Sequence, residues 1–300
     1  MDKTEVKEFI KSVRPNLSAG SLSTYTSIVT NLYKKLFGDT DKYNLENFNT
    51  QYKDVLEHLK DIPAERRKTT LAALVVLVPE DIKDKYRKPM MDDIEESKGQ
   101  AVLQRMSQKQ EENWVTQEEI RQVYERLYNK IENLTKKNIT VDSMTTIRDV
   151  ILLALTSGLY IPPRRSLDWS EMKIKGINKD TDNYLLKNKF IFNTYKTSKT
   201  YGRETIEVPE SLQVLLKKYM ALLPSGQEYL LVNKNGKKMT SVSIALALNK
   251  IFSKAVSVNM LRHSYLTEKY KDVPALTDMM DTSRKMGHSL TQALEYVKRA

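Results

Sequence analysis

Residues 150–155 read Val-Ile-Leu-Leu-Ala-Leu, with no polar side chain to turn toward water. A helix that is apolar on every side has to be buried. The segment from Ile147 to about Leu159 is therefore expected at the centre of a domain, with other elements packed around it. A second such stretch, residues 71–77, follows the basic and hydroxyl run Glu65-Arg66-Arg67-Lys68-Thr69-Thr70 and is closed by Pro79. A chain of 300 residues is long enough for two domains of about 100–200 residues each. The polar stretch 106–113 reads as their connector, with the boundary near residue 112.

Local signals fill in the rest. Ser21 is placed to cap a helix whose face is Leu22, Tyr25, Val29, Leu32, Tyr33 and Leu36, with Gly38 as its stop. Residues 46–60 give a weaker helix. Thr116-Gln117-Glu118-Glu119 is a capping box opening a helix with Ile120, Val123, Leu127, Ile131 and Leu134 on one face. Residues 189–195 and 204–208 read as strands joined by a basic turn that contains Gly202. Pro209 starts a helix running to about Leu223, residues 230–232 suit a third short strand, and the pattern from Ser241 onward is helical in short pieces. The expected fold is mainly α with a small β-sheet in the C-terminal domain.

Composition excludes several chemistries. There is no Cys, so disulfides, thiolate metal sites and thiol nucleophiles are ruled out. His58, His263 and His288 are the only histidines and have no carboxylate cluster beside them, so no metal is expected. No P-loop, dinucleotide-binding turn or nucleophile elbow is present. The start, Met-Asp-Lys-Thr-Glu-Val, has no apolar signal region, and no run approaches the roughly 18 residues of a membrane span. A soluble, intracellular protein without a membrane partner is expected. The net charge of +11 favours a polyanion, because each neutralised phosphate releases counterions. At the start of a buried helix, Arg66, Arg67, Lys68 and Thr69 suit a DNA phosphate.

The C-terminal block holds Met260-Leu261-Arg262-His263-Ser264-Tyr265, then Met286-Gly287-His288-Ser289, then Tyr296. The intervals are 26 residues from Arg262 to His288 and 8 from His288 to Tyr296. Upstream, Thr156-Ser157-Gly158-Leu159 is followed by Tyr160-Ile161-Pro162-Pro163-Arg164-Arg165-Ser166-Leu167-Asp168-Trp169. This ordered set resembles the tyrosine recombinase, or phage integrase, family. Its members carry Leu-Arg-His-Ser/Thr, then Gly-His, then a late Tyr, and place a first Arg after a buried helix. The Pro-Pro-Arg-Arg variant is most similar to recombinases of large DNA viruses and virophages, which would make this a viral protein acting in a host cell.

The resemblance implies two domains: a helical, SAM-like core-binding domain with the connector over 1–112, and an α+β catalytic domain over 113–300. It implies DNA integration or another site-specific recombination on double-stranded DNA, with four protomers assembled on paired sites and neither cofactor nor metal. Tyr296 would be the nucleophile, forming a 3′-phosphotyrosyl intermediate. Arg262, His288 and one Arg of the 164/165 pair would hold the non-bridging oxygens, since a guanidinium stays charged and presents a planar fork to phosphate. Arg165 is favoured over Arg164 because Arg165-Ser166-Leu167-Asp168 mirrors the family's Arg-x-x-acid spacing. Alignment on Gly158 would instead put Tyr160 there, which cannot serve. A hairpin Lys would protonate the leaving 5′-oxygen. Lys196 is favoured over Lys199, and Arg203 of the same turn is a DNA contact.

Asn259 stands where the family commonly has His, three residues before the second Arg. It can donate to a phosphate oxygen but cannot act as acid or base, and His263 is expected to point away. Only Val297-Lys298-Arg299-Ala300 follow the nucleophile, so protomers are expected to communicate through another surface or to share the Tyr-bearing segment. The alternatives are a type IB topoisomerase-like nicking-closing enzyme and a DNA-binding relative without catalysis.

Overall fold

The computed structural model describes residues 1–135, 137–286, 289–291 and 294. It divides into two compact units, Met1–Arg105 with the described part of Pro274–Ala300, and Met106–Val273. The first unit's continuous part ends at Arg105, where the expected boundary is near 112, and the described residues from Pro274 onward group with it.

In the first unit, α1 (Lys3–Val13) opens on a capping box in which Asp2 accepts from Thr4 and Glu5 amides while Glu5 reaches back. The next helix, α2 (Ala19–Phe37), is capped by Ser18, and Ser21 supplies the amide that Ser18 accepts, so the expected cap lies three residues too late. Gly38 ends it at φ 105. The helix expected over 46–60 is two, α3 (Asn47–Thr50) and α4 (Tyr52–Leu59), interrupted at Gln51. Next come α5 (Ala64–Leu77), whose apolar half is buried as expected, and α6 (Glu80–Val102). Val29, Phe48, Leu71, Leu74 and Tyr86 meet in the core, where the Tyr86 hydroxyl donates to the Phe48 carbonyl at 2.7 Å. Helix α6 has no signature in the residue pattern, because it contains Pro89 and buries only Tyr86 and Asp93, leaving no apolar stripe to recognise.

The second unit begins with α7 (Gln108–Asn113) and α8 (Gln117–Asn129), where the expected capping box of Thr116 and Glu119 is formed. The helix α9 (Val141–Thr156) starts before Ile147, because Thr140 caps it by accepting from the Ser143 amide. Its residues 150–156 are all buried, and they form the middle of this unit's core with Trp169, Phe190, Leu212 and Leu261. A short α10 (Ser166–Ser170) leads to β1 (Met172–Lys173), β2 (Asn183–Leu186) and β3 (Lys189–Phe192). Then come α11 (Ser198–Tyr201), β4 (Glu204–Glu207), α12 (Glu210–Leu222), α13 (Ser241–Phe252) and α14 (Val258–Lys269). The first unit is completed by α15 (Leu276–Lys285).

Among the described residues the strands form one four-stranded sheet in the order β1-β2-β3-β4, parallel only between β1 and β2. The turn joining β2 to β3 places Lys187 and Asn188 at φ 49 and φ 61, the paired left-handed geometry that matches strand twist in a tight hairpin. β1 and β2 were too short for alternation to reveal them. Residues 230–232, expected as a strand, form only isolated bridges at their margins, Lys173 with Tyr229 and Val232 with Lys238. The expected first strand of the basic hairpin stops at Phe192 rather than Tyr195, because the amides of Asn193 and Thr194 leave the ladder for the Asn183 side chain. The chain is thus mainly helical with a small sheet in its second unit. No described helix is long and apolar enough to cross a membrane.

Candidate active site

The end of α9 determines where the arginines stand. The helix stops at Thr156, and Gly158 turns the chain at φ 93. A Cβ on Gly158 would lie 2.2 Å from Cδ2 of Tyr265, so glycine is needed both for the backbone angle and for the approach of that ring. Tyr265 sits one turn after Arg262 on α14. The buried Gln117 amide fixes the same junction, donating to the Ser157 carbonyl and to Ser264 Oγ, each at 3.2 Å. Arg262 is thereby seated against the loop that carries Arg164 and Arg165. Gly158→Ala is expected to destabilise the protein by about 1–3 kcal/mol through overpacking against Tyr265, which thermal unfolding checks.

Arg164, Arg165 and Arg262 line one cleft of about 280 Å³, with Pro162, Pro163, Tyr201 and the carboxylate-bearing Glu204 around them. The two arginines of the expected pair part company here. Arg164 is a brace: its Nε donates to Asp168 Oδ2 at 3.1 Å, and its guanidinium lies 4.0 Å from the Phe192 ring centre and 4.6 Å from that of Tyr195. Arg165 caps α10 through its backbone, and among the described residues its guanidinium makes no hydrogen bond or ion pair. Burial, then the nearby Arg165 charge, lowers Arg262 from its ordinary value, with Asp168 acting in the opposite sense. Burial raises the Asp168 carboxyl, opposed by Arg164 and Arg165. Three arginines therefore line the cleft: Arg164 is engaged with the buried Asp168, while Arg165 and Arg262 are neighbours that, among the described residues, have no carboxylate bound.

The basic turn borders this cleft. Tyr195 and Thr197 line it, and the Tyr195 hydroxyl closes the turn by donating to the Gly202 carbonyl at 2.9 Å. Lys196 lies between these two lining residues and Lys199 lies on α11; both are exposed. Asn259 is exposed one turn before Arg262, and His263 is exposed as well. Arg203 is held by the protein itself, donating to Asn193 Oδ1 at 2.9 Å, to the Lys179 carbonyl and to the Tyr184 hydroxyl. His288 and Tyr296 lie outside the described residues. Among those described, no three His, Cys, Asp or Glu side chains stand together as metal ligands would.

In the first unit, Arg66 and Thr69 are exposed on the first turns of α5 and Lys68 is half-buried. Arg67 turns inward: its Nε and Nη2 donate to the buried Asp93, and Nη1 to the Lys60 carbonyl. Two different outcomes are expected from adjacent substitutions. Arg66→Ala leaves the melting temperature unchanged, because its side chain is exposed. Arg67→Ala lowers it, because it strands a buried carboxylate. Melting curves separate them.

Sequence reasoning did not find Tyr201, Glu204 or Asn183. Tyr201 ends α11 and Glu204 opens β4, where no local pattern marks either, and nothing in the residues around Asn183 marks it. No family model and no curated protein matches the chain. The crystal structure of XerA recombinase is similar to it at 14% identity, covering 98% of this chain and 93% of that one, with a TM-score of 0.39.

Proposed function

We propose that this protein is a site-specific DNA recombinase of the tyrosine type, cutting and rejoining double-stranded DNA through a 3′-phosphotyrosyl intermediate. The observation that supports it best is the pair Arg165 and Arg262, two guanidiniums lining one cleft to which, among the described residues, no carboxylate is bound. Like charges held together in a partly desolvated place are unfavourable alone and favourable around an anion with several acceptor oxygens. The net charge of +11 suits a polyanion carrying such groups.

In this reaction the Tyr296 oxygen attacks phosphorus and the bond from phosphorus to the 5′-oxygen breaks. The tyrosyl proton is lost and the departing 5′-oxygen gains one, so the products are a phosphotyrosyl ester and a free 5′-hydroxyl. Arg165 and Arg262 neutralise the non-bridging oxygens as charge builds in the transition state, and His288 donates to the same oxygens. Lys196 is the proton donor to the leaving group, from the turn beside the cleft. The ester retains the energy of the broken bond, so rejoining is the reverse attack by a 5′-hydroxyl. Arg66, Lys68 and Thr69 contact the DNA backbone, and four protomers act on two sites.

Because the recognised sequence is open, the test uses a pool of nicked duplexes with a randomised segment, quenched in detergent. Protein-linked DNA is the expected product, and enriched sequences identify the site. Two copies of that site on one plasmid should then recombine. Relaxation of a plasmid lacking it would point instead to a nicking-closing enzyme, and binding without any linked DNA would point to a non-catalytic relative.

A further inference from the structure

One buried side chain joins the arginine helix to the lysine turn. Asn183, the first residue of β2, is 1% exposed. Its Nδ2 donates to the Thr194 carbonyl at 2.8 Å and to the Asp168 carbonyl at 3.3 Å. Its Oδ1 accepts from the Asn193 amide at 3.0 Å and from the Thr194 amide at 2.9 Å. Both donors and both acceptor positions of the amide are thus used. Asp168 lies on α10, and its own amide donates to the Arg165 carbonyl at 3.0 Å. Thr194 is two residues before Lys196.

Resting on the proposed reaction, we infer that Asn183 is a positioning residue that sets the Lys196 turn in register with the Arg165 side of the cleft. The β3–β4 ladder cannot do this, because β3 ends at Phe192 and leaves Asn193 and Thr194 without sheet partners. Asn183 replaces that ladder with a carboxamide whose orientation is fixed by all four bonds. Two further ties support it: the exposed Thr194 Oγ1 donates to the Thr181 carbonyl at 2.7 Å, and Asn193 Nδ2 donates to the Asp182 carbonyl at 2.7 Å in a part-buried bond. An Ala at 183 leaves the fold's hydrophobic core in place but frees the strand end to move. A displacement of about 1 Å at a reacting group can cost about 10²-fold in rate.

A purely structural Asn and a positioning Asn differ in one readout. If residue 183 acts through the proton donor, its loss should not matter for a leaving group that needs no proton. Cleavage is therefore measured on two duplexes of the site, one natural and one with sulfur in place of the bridging 5′-oxygen at the scissile phosphate. Wild type cleaves both. Asn183→Ala should lose about 10²-fold on natural DNA and return to the wild-type rate on the sulfur substrate, as should Lys196→Ala. Arg165→Ala should remain slow on both. Thr194→Val, which removes only an exposed tie, should show a smaller loss with the same rescue, and it decides the matter if Asn183→Ala does not fold. Slow cleavage of both substrates by the Asn183 and Thr194 variants, with Lys196→Ala rescued, overturns the inference alone. Failure of wild type to cleave either duplex overturns the reaction itself.

Discussion

Arg165→Ala is expected to slow DNA strand cleavage by about 10²–10³-fold, the usual cost of removing one preorganised donor to a developing anion, and to leave thermal unfolding unchanged. The second half of that expectation comes from its surroundings. Among the described residues the Arg165 guanidinium bonds to nothing in the protein, so its removal strands no partner. It even relieves Arg262 of a neighbouring positive charge. Single-turnover formation of protein-linked DNA gives the rate, and a melting curve gives the stability. Normal cleavage by Arg165→Ala would remove it from the reaction.

Arg164→Ala should show a different pattern, with loss of stability as the leading effect. Asp168 is 2% exposed and Arg164 is its side-chain partner. Removing one member of a buried pair typically costs about 3–5 kcal/mol, and here the stacking on Phe192 and Tyr195 is lost as well. The pH dependence has a definite sign. Burial already raises the folded-state Asp168 carboxyl above its unfolded value, against the pull of Arg164 and Arg165. Without Arg164 it rises further. A carboxyl raised on folding contributes stability below its unfolded value and loses it as pH rises through the folded one. The deficit of Arg164→Ala relative to wild type should therefore be largest near neutral pH and shrink on acidification, while Asp168 becomes protonated. A deficit independent of pH would mean that Asp168 is not the group left unpaired.

These two neighbours show what sequence can and cannot tell. Their types and their place after a buried helix are visible in the chain, as are the central helix over residues 150–155 and the Thr116 capping box, because they depend on local pattern. Which guanidinium of the cleft is tied down depends on Phe192, Tyr195 and Asp168, which only the fold brings together. Arg67 makes the same point. It belongs by sequence to a phosphate-binding run, yet Asp93, from a helix with no apolar stripe, draws it inward. Arg203 is likewise occupied by Asn193, Lys179 and Tyr184. The short strands β1 and β2 offered too few residues for alternation, so the clamp built by Asn183 at the start of β2 could not be seen before the sheet was.

In the proposed reaction a tyrosine hydroxyl of this chain becomes joined to a DNA 3′-phosphate. The direct measurement is to cleave a nicked duplex of the selected site, digest the trapped complex with trypsin and nuclease, and weigh the peptides. A peptide containing Tyr296 that carries a 3′-linked nucleotide, absent from Tyr296→Phe while that variant still binds the duplex, is the result expected. Linkage at another residue, or no linkage at all from a wild-type protein that binds the duplex tightly, would contradict it.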